Sequence, residues 1–140
     1  MTTTTDQWEI TEGWLAGARR VPSPNCNPRP KGAVTELIVI HGISLPPGKY
    51  GGPEIEALFT NTLDPDAHPY FAEISGLEVS AHFLVRRAGE VVQFVSTDAR
   101  SWHAGVSCWQ GREQCNDFSI GIELEGCDEE AYTDTQYDAL

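Results

Sequence analysis

Three places along the chain combine residue types that can move a proton or hold a ligand. His41 closes the apolar run Leu37-Ile-Val-Ile40 and stands just before a Gly/Pro-rich stretch. An imidazole there can act as acid, base or metal ligand, and in open α/β sheets ligand sites gather beyond such strand ends. Strand alternation puts Leu37, Val39 and His41 on one face and Ile38 and Ile40 on the other. One histidine fixes no metal, so a hydrogen-bonded core role is the commoner reading of His41 taken alone. The segment Ser119-Ile-Gly-Ile-Glu-Leu-Glu125 also alternates, with Ser119, Gly121, Glu123 and Glu125 on one face. Glu123 thus stands beside a residue with no side chain, where a ligand could come close. Its carboxylate could orient or deprotonate a water for hydrolysis, although a solvated polar face gives the same pattern. Trp102-His103-Ala-Gly105 joins an aromatic, an imidazole and a flexible glycine. That suits a wall for a sugar or peptide, and equally a buried loop anchor. His82 reads as a satisfied core residue and His68 as a turn residue without a role.

Positioning these groups requires strands and at least two helices. Strand signals fall at Leu37 to His41, Val79 to Arg87, Glu90 to Ser96 and Phe118 to Glu125, the middle two joined as a hairpin around Ala88-Gly89. The first reads as a buried strand. Pro53 to Leu63 reads as a helix, with Pro53 at its first position and Ile55, Leu58 and Phe59 on one face. Asp66 to Ile74 gives a second, short helix. Residues 44–53 and 102–117 read as loops from their Gly, Pro and polar content. Interleaved strands and helices indicate a single α/β domain with a central mixed β-sheet flanked by helices. Near the end, Thr133-Asp-Thr-Gln136 has the form of a capping box, and Tyr137 and Leu140 begin an apolar face. Helices shorter than ~12–15 residues are marginal in isolation, so the sequence is expected to stop inside its domain. A short docked terminal turn is the other reading.

Charge and cysteine usage narrow the function classes. The 140 residues carry a formal net charge of −12. That disfavours general contact with nucleic acid or anionic membrane, which needs clustered Lys and Arg. The pairs Arg19-Arg20 and Arg86-Arg87 are isolated and read as solvated. No apolar run approaches the ~20 residues a bilayer span needs, and no secretory signal is visible. Cys26, Cys108, Cys115 and Cys127 form no Cys-x-x-Cys pair, so they read as reduced thiols of a cytoplasmic protein.

Singly these signals decide nothing, but in order they do. Gly13-Trp-Leu, Arg19-Arg-Val-Pro-Ser-Pro24, Val39-Ile-His-Gly-Ile-Ser-Leu-Pro-Pro-Gly48, Leu63-Asp-Pro, His68-Pro, Ser80-Ala-His, Trp102-His-Ala-Gly-Val-Ser107 and Cys115-Asn-Asp-Phe-Ser-Ile-Gly-Ile-Glu-Leu-Glu-Gly126 closely resemble the N-acetylmuramoyl-L-alanine amidases, in their AmpD branch. The resemblance implies an amidase/peptidoglycan-recognition-protein-like fold, with residues 1–12 as a tail and 13–140 as an amidase domain incomplete at its C-terminus. It implies hydrolysis of the amide between 1,6-anhydro-N-acetylmuramic acid and L-alanine in cytoplasmic muropeptides during peptidoglycan recycling, by a monomer that binds neither nucleic acid nor membrane. By position, His41 matches the first zinc ligand and Glu123 the glutamate that works with the zinc-activated water. Trp102 and His103 fall in the loop lining the substrate groove. Gly42 stands where close relatives carry an Asn that contacts substrate. The other two ligands of Zn2+, a His and an Asp or Cys, and an oxyanion-stabilising Lys follow the helix that begins near Thr133, so only one of three expected ligands is present. A non-catalytic muropeptide-binding module, or an inactive fragment of the amidase, is the alternative.

Overall fold

The structure is a computed structural model that describes residues 6–140. In chain order its elements are β1 (Ile10–Thr11), β2 (Trp14–Leu15), β3 (Arg19–Arg20), β4 (Cys26–Pro28), β5 (Leu37–Ile43), α1 (Glu54–Phe59), α2 (Pro69–Ile74), β6 (Phe83–Val85), β7 (Val91–Gln93), β8 (Ala99–Ser101), β9 (Cys108–Trp109), β10 (Arg112–Glu113), a 3₁₀ turn (Cys115–Asp117), β11 (Ser119–Glu125) and α3 (Asp134–Ala139). Five of the strands form the central sheet in the order β3-β7-β6-β11-β5. β11 runs parallel to both β5 and β6, while β6 and β7 form the antiparallel hairpin expected around Gly89. The sheet is mixed, as expected.

One sheet face carries Leu84 and Val92, which pack with Ile55, Leu58 and Phe59 of α1, Phe71 of α2, and Phe94 into the core. Three apolar residues of α1 face inward because 3.6-residue spacing stacks them on one side. α1 is shorter than the sequence pattern suggested. Pro53 caps it from outside, and it stops at Phe59, where the next residues turn through Asn61 at a positive φ. His68 does have a part: its side chain accepts from the Tyr70 backbone N–H and caps α2.

Three expectations need correction. β5 is an edge strand rather than a buried one, and Ile38 and Ile40 on its outer face are 58% and 50% exposed. An apolar run alone does not reveal whether a strand has neighbours on both sides. Arg86 is not solvated: it bonds to Glu125 at 2.9 Å, with side-chain exposures of 11% and 2%. Arg87 likewise turns inward, donating to the Ala131 and Glu125 carbonyls. Of the expected tail, residues 1–5 lie outside the described residues, and Ile10–Thr11 pair with Trp14–Leu15 as a hairpin. That hairpin is held by buried Gln93, whose amide accepts from the Leu15 N–H at 2.7 Å and donates to the Gly13 carbonyl at 2.7 Å.

The capping box at Thr133 forms as read, and the fully buried Gln136 side chain ties α3 to the Val85 and Glu125 carbonyls. Among the described residues, no helix is long and apolar enough to cross a membrane.

Candidate active site

Register brings the two principal candidates together. In the parallel β5–β11 ladder Glu123 pairs with His41 and Gly121 with Val39, so the imidazole and the carboxylate project from neighbouring strands on the same face. Glu123 is only 9% exposed, and its Oε2 has no hydrogen-bond partner. Burial without a compensating partner penalises the charged form, pushing the carboxyl up to about 7. It is therefore poised to take and release a proton near neutral pH. Glu123 is not part of a solvated face: its ladder partner Leu84 lies in the core, and the His103 ring covers Gly121 two residues away on the same strand face.

His41 is half-buried and its pKa is lowered by burial. Its Nε2 lies 3.0 Å from His103 Nδ1, and His103 Nε2 lies 2.9 Å from Ser119 Oγ. Burial first, then the neighbouring His41, push His103 down to about 3. The space beside Gly121, expected to admit a ligand, is filled by the His103 ring. A Cβ at position 121 would sit 2.4 Å from His103 Cγ.

The loop carrying His103 is pinned by residues that motif reading passed over. Asn116 Oδ1 accepts from the backbone N–H groups of His103 and Ala104, at 3.2 and 2.8 Å. Trp102 donates its backbone N–H to Ser80 Oγ and its indole N–H to Asn27 Oδ1. The only advance signal for Asn116 was an amide side chain next to a strand start. His82 is fully buried and satisfied, as read. Its Nδ1 accepts from the Gly121 N–H and the Ser101 hydroxyl, and Nε2 donates to the Ala99 carbonyl.

Gly42 is exposed at the end of β5 and lines a groove with Ser44, Leu45, Tyr70, Gly126 and Asp128. Tyr132 crosses its open side, and a Cβ on Gly42 would lie 2.5 Å from the Tyr132 hydroxyl. That contact was not legible in the sequence.

Histidine nitrogen and an unpartnered carboxylate are the donor chemistry of a hydrolytic zinc centre. Among the described residues, however, no group of three or more His, Cys, Asp and Glu side chains is placed to hold a metal ion. The residues therefore fit one side of such a centre and not the whole of it: His41 as one ligand, and Glu123 beside it.

Comparison with known proteins places the chain in a family. The family model described as N-acetylmuramoyl-L-alanine amidase matches residues 31–140. The 1,6-anhydro-N-acetylmuramyl-L-alanine amidase AmpD of Escherichia coli is 65% identical over 131 residues, covering 94% of this chain and 72% of that protein. The AmpD of Citrobacter freundii is 66% identical, covering 94% and 70%. A crystal structure of a selenomethionine AmpD derivative superposes with a TM-score of 0.92 at 65% identity, covering 94% of this chain and 73% of that one. On these matches the chain belongs to the N-acetylmuramoyl-L-alanine amidase family.

Proposed function

We propose that this amidase hydrolyses the bond between the lactyl group of 1,6-anhydro-N-acetylmuramic acid and L-alanine, in soluble muropeptide fragments of the cytoplasm, as part of peptidoglycan recycling. The observation that carries the reading is Glu123: a nearly buried carboxyl with an unpartnered oxygen, raised to about 7, in register with His41. The amidase domain is taken to begin near Gly13, since Gln93 ties that residue to the central sheet.

In this mechanism Glu123 accepts a proton from the attacking water as its oxygen bonds to the amide carbon. It then returns that proton to the alanine nitrogen as the C–N bond breaks, giving a lactyl carboxylate and a free amine. Zinc, when bound, supplies Lewis acidity that polarises the amide carbonyl and lowers the pKa of water toward ~7. His41 is proposed as one of its ligands. By family resemblance the remaining ligands and an oxyanion-stabilising Lys follow α3. Trp102 and Gly42 are proposed to line the approach for the sugar and peptide.

The test is mass-spectrometric detection of free stem peptide after incubating an anhydro-muropeptide with zinc and this chain, beside the same chain extended past α3 by its relatives' sequence. Release that a chelator abolishes supports the proposal. Intact substrate with both proteins overturns it. The absence of a three-ligand cluster among the described residues favours a second reading, a module that binds muropeptide without cutting it. Binding by calorimetry, with no release from the zinc-loaded extended chain, would select that reading.

A further inference from the structure

Resting on the muropeptide reading of the site around His41 and Glu123, we propose that Tyr132 is a substrate-contacting residue. Its hydroxyl bonds a polar group of the muropeptide beside the scissile amide, at the end of β5.

Two glycines put it there. Gly42 follows His41 on β5 and lies opposite Leu124 in the ladder, and Gly126 comes three residues after Glu123. The Gly126 N–H donates to the Ile43 carbonyl at 2.9 Å, which stitches the two strand ends together beneath one ring. A Cβ on Gly126 would lie 2.6 Å from Tyr132 Cε1. A Cβ on Gly42 would lie 2.5 Å from the Tyr132 hydroxyl but 3.7 Å from Cζ. The ring thus rests on Gly126, and the hydroxyl alone takes up the side-chain space of residue 42. That space is one step beyond the rung that pairs His41 with Glu123. Ligands of open α/β sheets are met at this carboxyl end of the strands, and both glycines line the groove that opens there.

The surroundings fix the ring and leave its polar end unused. On one side of Tyr132 the Ala131 carbonyl accepts from the Arg87 guanidinium at 3.0 Å, and on the other the Thr133 hydroxyl donates to the Arg87 carbonyl at 2.6 Å. The Tyr137 ring meets it edge-on, with centroids 6.3 Å apart at 87°. Among the described residues nothing hydrogen-bonds the Tyr132 hydroxyl. It is not one of the buried atoms left unsatisfied there either, so this half-buried residue presents its hydroxyl to solvent. A phenol already held in one place loses little freedom when a ligand bonds to it, which is the condition for a contact that adds affinity.

The experiment is calorimetric titration of an anhydro-muropeptide into the 140-residue chain, with a chelator present so that nothing is cut. Tyr132→Phe keeps the ring on Gly126 and removes only the hydroxyl, and should weaken binding roughly 3–10-fold, the worth of one hydrogen bond. Gly42→Ala should weaken it too, because its methyl group displaces the hydroxyl. In the double variant that methyl group meets only Cζ, at an ordinary 3.7 Å, so Gly42→Ala should add nothing to Tyr132→Phe. Thermal unfolding of the same proteins separates contact from packing: Gly42→Ala should lower Tm when the hydroxyl is present and leave it unchanged in Tyr132→Phe. Equal affinity of wild type and Tyr132→Phe, or a wild type that does not bind, overturns the proposal. So does a Gly42→Ala penalty of the same size in both backgrounds. Peptide release by the zinc-loaded chain extended past α3 by its relatives' sequence keeps the two readings apart. There Tyr132→Phe should raise KM with kcat little changed, whereas an extended wild type that binds and releases nothing defeats the amidase reading and leaves the Tyr132 contact standing on the titration.

Discussion

Replacing Glu123 by Gln should make the metal-free protein more stable, and only at neutral and alkaline pH. Burial raises the Glu123 carboxyl from 4.5 to about 7. Between those values the native state binds more protons than the unfolded chain, so stability falls as pH rises through the window and the loss is complete above it. Each pKa unit corresponds to ~1.4 kcal/mol, so the gap amounts to ~3 kcal/mol at pH 8 and to under ~1 kcal/mol at pH 5. Glutamine keeps the shape and cannot ionise, which removes the penalty. Urea unfolding in the presence of a chelator reads this directly. With a slope of ~1–3 kcal/mol/M, the midpoint of Glu123→Gln should exceed wild type by roughly 1–3 M at pH 8 and by far less at pH 5. A midpoint difference that is the same at both pH values, or a variant less stable at pH 8, would refute the claim that Glu123 is held against its charged form. A residue that destabilises its own fold at working pH is the expected mark of a group kept for chemistry.

The same Glu123→Gln change, made in the chain extended past α3 by its relatives' sequence and loaded with zinc, should retain the metal and lose most turnover, and undiminished peptide release would remove Glu123 from the mechanism. Arg86→Met leaves Glu125 buried without its counter-charge and should destabilise by ~3–5 kcal/mol, checked by thermal unfolding. A loss below ~1 kcal/mol would show that the Gly51 and Arg87 N–H bonds suffice for Glu125. Gln136→Ala strips bonds from the Val85 and Glu125 carbonyls and should cost about 2–3 kcal/mol, with hydrogen-exchange protection of α3 falling first. Unchanged protection there would mean that α3 is held by its apolar contacts. Gly13→Ala must place a methyl group against Ser96 Oγ at a φ of +83°, and should lower Tm by several degrees, whereas an unaltered Tm would show that the hairpin is loosely held.

Local rules reached β11, the β6–β7 hairpin and the Thr133 capping box, because alternation, turn glycines and capping residues are written in adjacent positions. They also put Glu123 on the same strand face as Gly121, which the structure keeps. What they could not reach was anything set by register between distant strands. The exposure of Ile38 and Ile40 depends on β5 having one neighbour rather than two. The burial of Glu123 depends on elements folded over the sheet, and alternation by itself cannot tell a covered polar face from a wet one. The His41–His103 contact joins residues 62 positions apart. It rests on a glycine whose meaning changes once a ring is found lying on it. Arg86 reads as a surface charge until Glu125 is placed beneath it. The family resemblance named His41 and Glu123 ahead of any geometry, and it was there that composition and periodicity alone remained undecided.

The strand order has a kinetic consequence. β6 and β7 are joined by a tight turn and can pair within microseconds, but β11 must enter between β6 and β5, and its partner β5 lies far back along the chain. Closing that loop precedes any reward from the parallel ladder, which makes it a natural slow event in folding. His41 and Glu123 become neighbours only through that ladder. A chain trapped before β11 docks would keep its hairpins and much of its apolar collapse yet leave Glu123 apart from His41, so burial of Glu123 during refolding should track the slowest phase rather than the first burst of secondary structure.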